Sequence, residues 1–355
     1  MSTSRPSNTP LAIAAGTQMA TTATIPKMVD NSGKTTSDLS LCKTCQLWPA
    51  SPRPREILPI DAPDGSWAAA MPTASMGAAT RDRNEAGRAW HHRHVTADLH
   101  VYRYGPSGPL RVLAIHGLTG HGRRWQQLVT YLPEITIAAP DLLGHGRSSW
   151  AAPWTIDANV SVLAALLDNE ADSPVLVVGQ SFGGAIAMHL AAARPDQVAA
   201  LLLLDPAIGL DGMWMSQIAD AMFSHPDYPD VRQARLEKAT GSWADVDPAL
   251  LDAELDEHLI KLANGRYGWR VSMPAMMSYW SELARDVVLP RAGTATTLVR
   301  AKLTSPPYVT DQLIDALQQR LGADFRLLDF ECHHMVCHAK PIEVSAVIRE
   351  HLERR

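Results

Sequence analysis

The sequence predicts an α/β protein with a mostly parallel central sheet flanked by helices. Three observations carry that prediction. Short apolar runs alternate with helical patterns from about residue 90 onward. Those runs are hydrophobic throughout rather than alternating, as strands covered on both faces are. Hydrophobic residues make up 46% and charged residues 19% of the 355, enough for a sizeable core.

The elements follow in order. His94 to Tyr104 reads as an antiparallel hairpin. Strands are predicted at Arg111 to Ile115, Ile135 to Ala139, Pro174 to Val178 and Ala199 to Leu204. Helices are predicted at Arg123 to Leu132, Thr155 to Asn169 and Phe182 to Arg194. Residues 207 to 290 then read as several helices with no strand between them, and the alternation resumes at Thr296 to Arg300. A helical insertion after the sixth predicted strand suits a lid over the carboxyl edge of the sheet, where open α/β sheets bind ligands. The core is expected at 90–206 and 291–355.

Residues 1 to about 85 are rich in Ser, Thr, Pro and Ala without helix or strand period, and read as a mostly disordered extension. Met76 is a candidate native start; peptides mapping upstream of it would argue against that. Leu11 to Gly16 is too short for the apolar core of a secretory signal, so a cytoplasmic location is expected. No apolar run approaches the ~20 residues of a membrane span. The longest, Val198 to Leu204, ends at Asp205.

The net charge of −5 argues against nucleic acid as a partner. Cys42, Cys45, Cys332 and Cys337 are too few for a disulfide scaffold. The Cys42-x-x-Cys45 pair lacks the second ligand pair of a zinc ribbon and the βαβ setting of a redox site. His91, His92 and His94 read as an exposed strand start, not a metal site.

Chemistry enters at Gly179-Gln180-Ser181-Phe182-Gly183, a G-x-S-x-G between a strand and a helix. That context is what a nucleophile elbow requires. The turn is sharp, so Gly179 and Gly183 must be small. The helix start supplies free N–H groups and a positive dipole end.

On these residues the chain resembles the α/β-hydrolase fold family over roughly residues 95 to 355, in particular carboxylesterase or lipase-like members of actinobacterial type. The resemblance extends to His116-Gly117-Leu118-Thr119-Gly120, similar to the family's oxyanion loop. It implies the backbone N–H groups of Leu118 and Phe182 as oxyanion donors, with the His116 side chain as a brace. The run Asp141 to Ser148 resembles the family's D-x-x-G-x-G-x-S loop, read as structural, with His145 at most a pocket wall.

The family places its base before the final helix. Counting back from Pro341 puts His334 in register rather than His333. The usual acid position holds Thr304, which carries no charge. Two aspartates keep the order Ser, Asp, His: Asp311, the preferred one, and Asp205 as the alternative.

The resemblance therefore implies a serine hydrolase cleaving carboxylic esters of small, apolar substrates, with no metal or organic cofactor. A C–C bond hydrolase, a cofactor-free perhydrolase and a non-catalytic ligand-binding homologue stand as alternatives. The insertion's soft side chains, Met213, Trp214, Met215, Met222, Phe223, Trp269, Met273, Met276, Met277, Tyr279 and Trp280, suit an acyl pocket or simple packing. Its acidic run, Asp252, Glu254, Asp256 and Glu257, reads as a solvated helix face.

Overall fold

The computed structural model of the chain describes residues 98–354. In chain order the core begins with β1 (Val101–Tyr104), β2 (Val112–Ile115), a 3-10 turn (Gly122–Trp125) running into α1 (Gln126–Val129), and β3 (Ile137–Pro140). It continues with α2 (Ile156–Glu170), β4 (Val175–Gln180), α3 (Phe182–Ala193) and β5 (Val198–Leu204). The insertion holds α4 (Gly212–Ser224), α5 (Val231–Thr240), α6 (Pro248–His258), the ribbon β6 (Leu259–Lys261) and β7 (Tyr267–Trp269), and α7 (Met273–Glu282). The core resumes with β8 (Ala295–Ala301), α8 (Asp311–Leu321), a 3-10 turn (Gly322–Asp324), β9 (Phe325–Phe330), α9 (Val336–Ala339) and α10 (Pro341–Glu353).

The sheet runs β1-β3-β2-β4-β5-β8-β9. Every pairing in it is parallel except β1 with β3. The central strands read as unbroken hydrophobic runs because both faces are covered. Along β2, Leu113 and Ile115 pack on the α2 and α3 side, while Val112 and Ala114 pack on the α10 side. Side-chain caps fix where helices begin: Thr155 accepts from Ala158 N–H, Asp211 from Trp214 N–H, and Thr310 from Leu313 N–H.

Parallel strands put all their following loops at one edge. Thus His116 after β2, Ser181 after β4, Asp205 after β5, Thr304 beyond β8 and His334 beyond β9 share the carboxyl edge.

One expectation changes here, and one reaches beyond the described residues. Of the hairpin expected over His94 to Tyr104, residues 94–97 lie outside the described residues, and the rest holds β1, which pairs with β3. The insertion follows the fifth described strand, β5. The insertion also contains the β6–β7 ribbon, whose three-residue strands are too short to carry a visible period. The extension over residues 1–85, Met76, Cys42, Cys45, His91, His92 and His94 lie outside the described residues. Among the described residues, no helix is long and apolar enough to cross a membrane.

Candidate active site

Ser181 sits between β4 and α3 with φ 57° and ψ −121°, a left-handed conformation costly for a residue with a Cβ. Its neighbours hold it there. Ser181 N–H donates to Leu204 O at 3.0 Å, and Ser181 O accepts from Gly184 N–H at 2.8 Å and Ala207 N–H at 3.1 Å. A Cβ on Gly179 would stand 2.4 Å from Gly183 O, and one on Gly183 would stand 2.3 Å from Ile115 O. Both glycines are therefore required by close approach, as the turn predicts.

The loop after β2 packs against this elbow. A Cβ on Gly117 would come within 2.9 Å of Ser181 Cβ. The His116 ring spans the base of the loop: Nδ1 lies 2.7 Å from Gly117 O and Nε2 accepts from Leu142 N–H at 2.9 Å. Burial drives its pKa well below the ordinary value, so it stays neutral and braces the backbone. Leu118 lines the cavity above Ser181. Phe182 opens α3, where backbone N–H groups have no partner within the helix.

The Asp141 carboxylate accepts from Gly122 N–H at 2.7 Å and Arg147 N–H at 2.8 Å, so that loop is a structural tie. His145 is buried, held near pKa 3 by burial, and lies against Tyr279 with ring centroids 5.6 Å apart; it is not a cavity wall.

His334 lies in the turn between β9 and α9. Its Nδ1 is 2.6 Å from Asp205 Oδ2. Its carbonyl accepts from Gln180 Nε2 at 2.7 Å, and the Tyr308 ring stands 4.5 Å away, centroid to centroid. His333 instead anchors its backbone N–H on Asp245 Oδ2 at 2.7 Å.

Asp205 is 1% exposed, with φ 43°. Its Oδ1 accepts from Ala301 N–H at 3.1 Å and its Oδ2 from Thr304 Oγ1 at 3.4 Å. The placement expected of Asp311 does not hold. Its side chain is 95% exposed, 3.9 Å from Arg300 Nη1, because it starts α8 beyond the loop rather than folding back. Gln180, Thr304 and Tyr308 escaped sequence reasoning as site residues. Gln180 carried a signal as the variable position inside the elbow motif, and Thr304 as the occupant of the position expected to hold the acid.

These groups open into a cavity of about 260 Å³. His116, Gly117, Leu118, Ser181 and His334 form one side. Trp214, Ile218, Met222, Trp269 and Trp280 of the insertion form the other. Met213 and Phe223 point to solvent, while Met215, Met276 and Tyr279 belong to the core. Cys332 and Cys337 are free and buried, and burial pushes both thiols up to about 12. Among the described residues, no group of three or more His, Cys, Asp or Glu is arranged to hold a metal ion.

The acidic run of the insertion is not uniformly solvated. Glu254 is 4% exposed and bonded to Arg124, Lys238 and His121, while Glu257 pairs with Arg123 and Arg147. Burial opposes the Glu254 charge, but Arg124, Lys238 and His121 beside it hold the carboxyl well below its ordinary value. Lys238, lying over Trp243 at 4.8 Å and Trp269 at 4.1 Å, is pushed down to about 8 by burial.

Comparison with known proteins places this geometry among relatives. A model of the alpha/beta hydrolase family matches residues 112–347. Lipase LipV of Mycobacterium tuberculosis is 72% identical over 258 residues, 73% of this chain and 99% of that protein. An esterase of the same bacterium, Rv0045c, is 28% identical over 267 residues, 72% of this chain and 87% of that protein. The crystal structure of E-2-(acetamidomethylene)succinate hydrolase superposes with a TM-score of 0.62 at 19% identity, over 72% of this chain and 96% of that one, a likeness of fold.

Proposed function

Because the chain belongs to the alpha/beta hydrolase family and is an ester-hydrolysing enzyme, we propose that it cleaves carboxylic esters through Ser181, His334 and Asp205. The observation that carries the assignment is the 2.6 Å contact between His334 Nδ1 and Asp205 Oδ2, made by a carboxylate that is almost fully buried. That contact commits Nδ1 as a donor and leaves Nε2 to receive a proton from the serine.

In this reading His334 Nε2 takes the Ser181 hydroxyl proton as Oγ attacks the ester carbonyl. The carbonyl π electrons move onto oxygen, where the N–H groups of Leu118 and Phe182 stabilise the negative charge. The tetrahedral intermediate collapses, the C–O bond breaks, and His334 returns the proton to the leaving alcohol. Water, deprotonated by the same ring, then attacks the acyl-enzyme and releases the acid and free Ser181. The Asp205 carboxylate stabilises the imidazolium at each stage. His116 takes no part in proton transfer, since both of its ring nitrogens are occupied.

The insertion acts as a lid over this site. Its indole and thioether walls favour small apolar acyl or alkyl groups, because such surfaces gain by leaving water and Met adapts to their shape. A p-nitrophenyl ester series of increasing acyl length tests the function. Turnover of the wild-type protein and its loss in Ser181→Ala are expected, together with labelling of Ser181 by a fluorophosphonate. Undiminished turnover in Ser181→Ala overturns the reading.

A further inference from the structure

One carboxylate joins the insertion to the loop that carries Leu118. Glu254 stands on α6, yet its neighbours come from the core as well as from α5. His121 Nε2 lies 2.9 Å from Glu254 Oε2, and Arg124 Nε donates to the same oxygen at 3.1 Å. Glu254 Oε1 accepts from Arg124 Nη2 at 2.5 Å and from Lys238 Nζ at 3.0 Å. The same Arg124 Nη2 donates to Thr119 O at 2.9 Å.

Thr119 is the residue after Leu118 and has φ 56°, a left-handed conformation that a threonine does not hold unaided. The guanidinium lies close on the loop: a Cβ on Gly120 would stand 2.8 Å from Arg124 Nη1. A buried charge is tolerated only when it is paired and hydrogen-bonded. Arg124 can therefore rest on the Thr119 carbonyl in this dry setting because Glu254 neutralises it.

We propose that Glu254 is a positioning residue for the oxyanion loop: by holding Arg124 against the Thr119 carbonyl, it fixes the direction of the Leu118 N–H. The proposal rests on the ester-hydrolysis reading with Leu118 as a donor. It makes correct loop geometry depend on the seating of the insertion. Without the carboxylate, Arg124 turns toward water, Thr119 relaxes from its left-handed conformation, and the Leu118 N–H loses its aim.

The test uses the full chain and two variants. Glu254→Gln keeps shape and removes charge. Arg124→Lys keeps the charge beside Glu254 but removes the guanidinium fork that reaches Thr119. Loss of one oxyanion donor costs about 10²–10³ in rate, so a misaimed one is expected to lower kcat about 10- to 100-fold. KM for a short p-nitrophenyl ester stays within about threefold, because the donor acts on the transition state. Affinity for an alkyl boronic acid, which forms a tetrahedral adduct with Ser181, falls by the same factor as kcat/KM. Affinity for the corresponding product alcohol holds.

A merely structural role would lower Tm without moving the ratio of boronate to alcohol affinity. Unchanged kcat and boronate affinity in a folded Glu254→Gln overturn the proposal, as does a change confined to KM. If Glu254→Gln does not fold, Arg124→Lys decides by the same two readouts. Loss of turnover in Ser181→Ala with full activity in both variants defeats this inference alone. Turnover retained in Ser181→Ala defeats the reading beneath it.

Discussion

Thr304 donates its hydroxyl to Asp205 Oδ2 at 3.4 Å, tying the loop beyond β8 to the carboxylate that ends β5. Thr304 occupies the position where the sequence resemblance places the acid. β5 and β8 are adjacent and parallel, with Leu204 opposite Val299. A carboxylate leaving either strand end can therefore reach the same imidazole. In the proposed triad the acid is Asp205, directly after β5, and Thr304 in the loop beyond β8 supports it with a hydroxyl.

Asp205→Asn is expected to lower kcat on a p-nitrophenyl ester by about 10⁴, because the neutral amide no longer stabilises the imidazolium or holds its tautomer. Asp311→Ala, removing an exposed side chain at a helix start, is expected to leave kcat within about twofold. The reverse ranking of the two variants would contradict the placement of the acid at Asp205.

The adjacency of the two strand ends also predicts a rescue. Adding Thr304→Asp to Asp205→Asn returns a carboxylate to the far side of the same contact. We expect the double variant to recover about 10- to 100-fold of the lost kcat, a lowering of the activation barrier by about 1.4–2.7 kcal/mol. A double variant no faster than Asp205→Asn would show that the loop beyond β8 cannot present an acid to His334.

Gly183→Ala places a methyl group 2.3 Å from Ile115 O and 2.6 Å from His116 O, both backbone atoms. Nothing flexible can give way, so either β2 or the elbow must move. A loss of several kcal/mol is expected, at the high end for single substitutions. Urea denaturation checks it, and a variant of wild-type stability would mean that the elbow tolerates that displacement.

Buried neutral histidines make the fold sensitive to acid. Burial pushes His145 and His338 down to about 3, and His116 and His258 well below the ordinary value. Below about pH 6.5 the unfolded chain takes up protons that the folded chain refuses, so stability falls as pH falls, for His145 and His338 down to about pH 3. Each such histidine contributes a slope of about 1.4 kcal/mol per pH unit within that window. Glu254, held well below its ordinary value, keeps its charge over the upper part of the window. The urea midpoint is expected to drop steeply from about pH 7 to about pH 5; a constant midpoint over that range would contradict it.

Much of the site was legible in the sequence because its parts are local. The elbow is a strand, a turn and a helix contiguous in the chain, so Gly179, Ser181 and Gly183 announce their own geometry. The oxyanion loop likewise follows its strand directly, and His334 is placed by its distance from Pro341. What tertiary structure alone decided is whatever depends on which segments become neighbours. Along the chain Asp311 is the preferred acid and Asp205 the alternative, yet only Asp205 follows a strand whose edge meets the turn of His334. Glu254 reads as one member of an acidic, solvated run, because no periodicity reveals that Arg124, 130 residues earlier, lies against it. Local patterning determined the fold class and the setting of Ser181; strand adjacency and long-range charge pairing determined which carboxylate stands beside the His334 imidazole and which one is buried behind the loop.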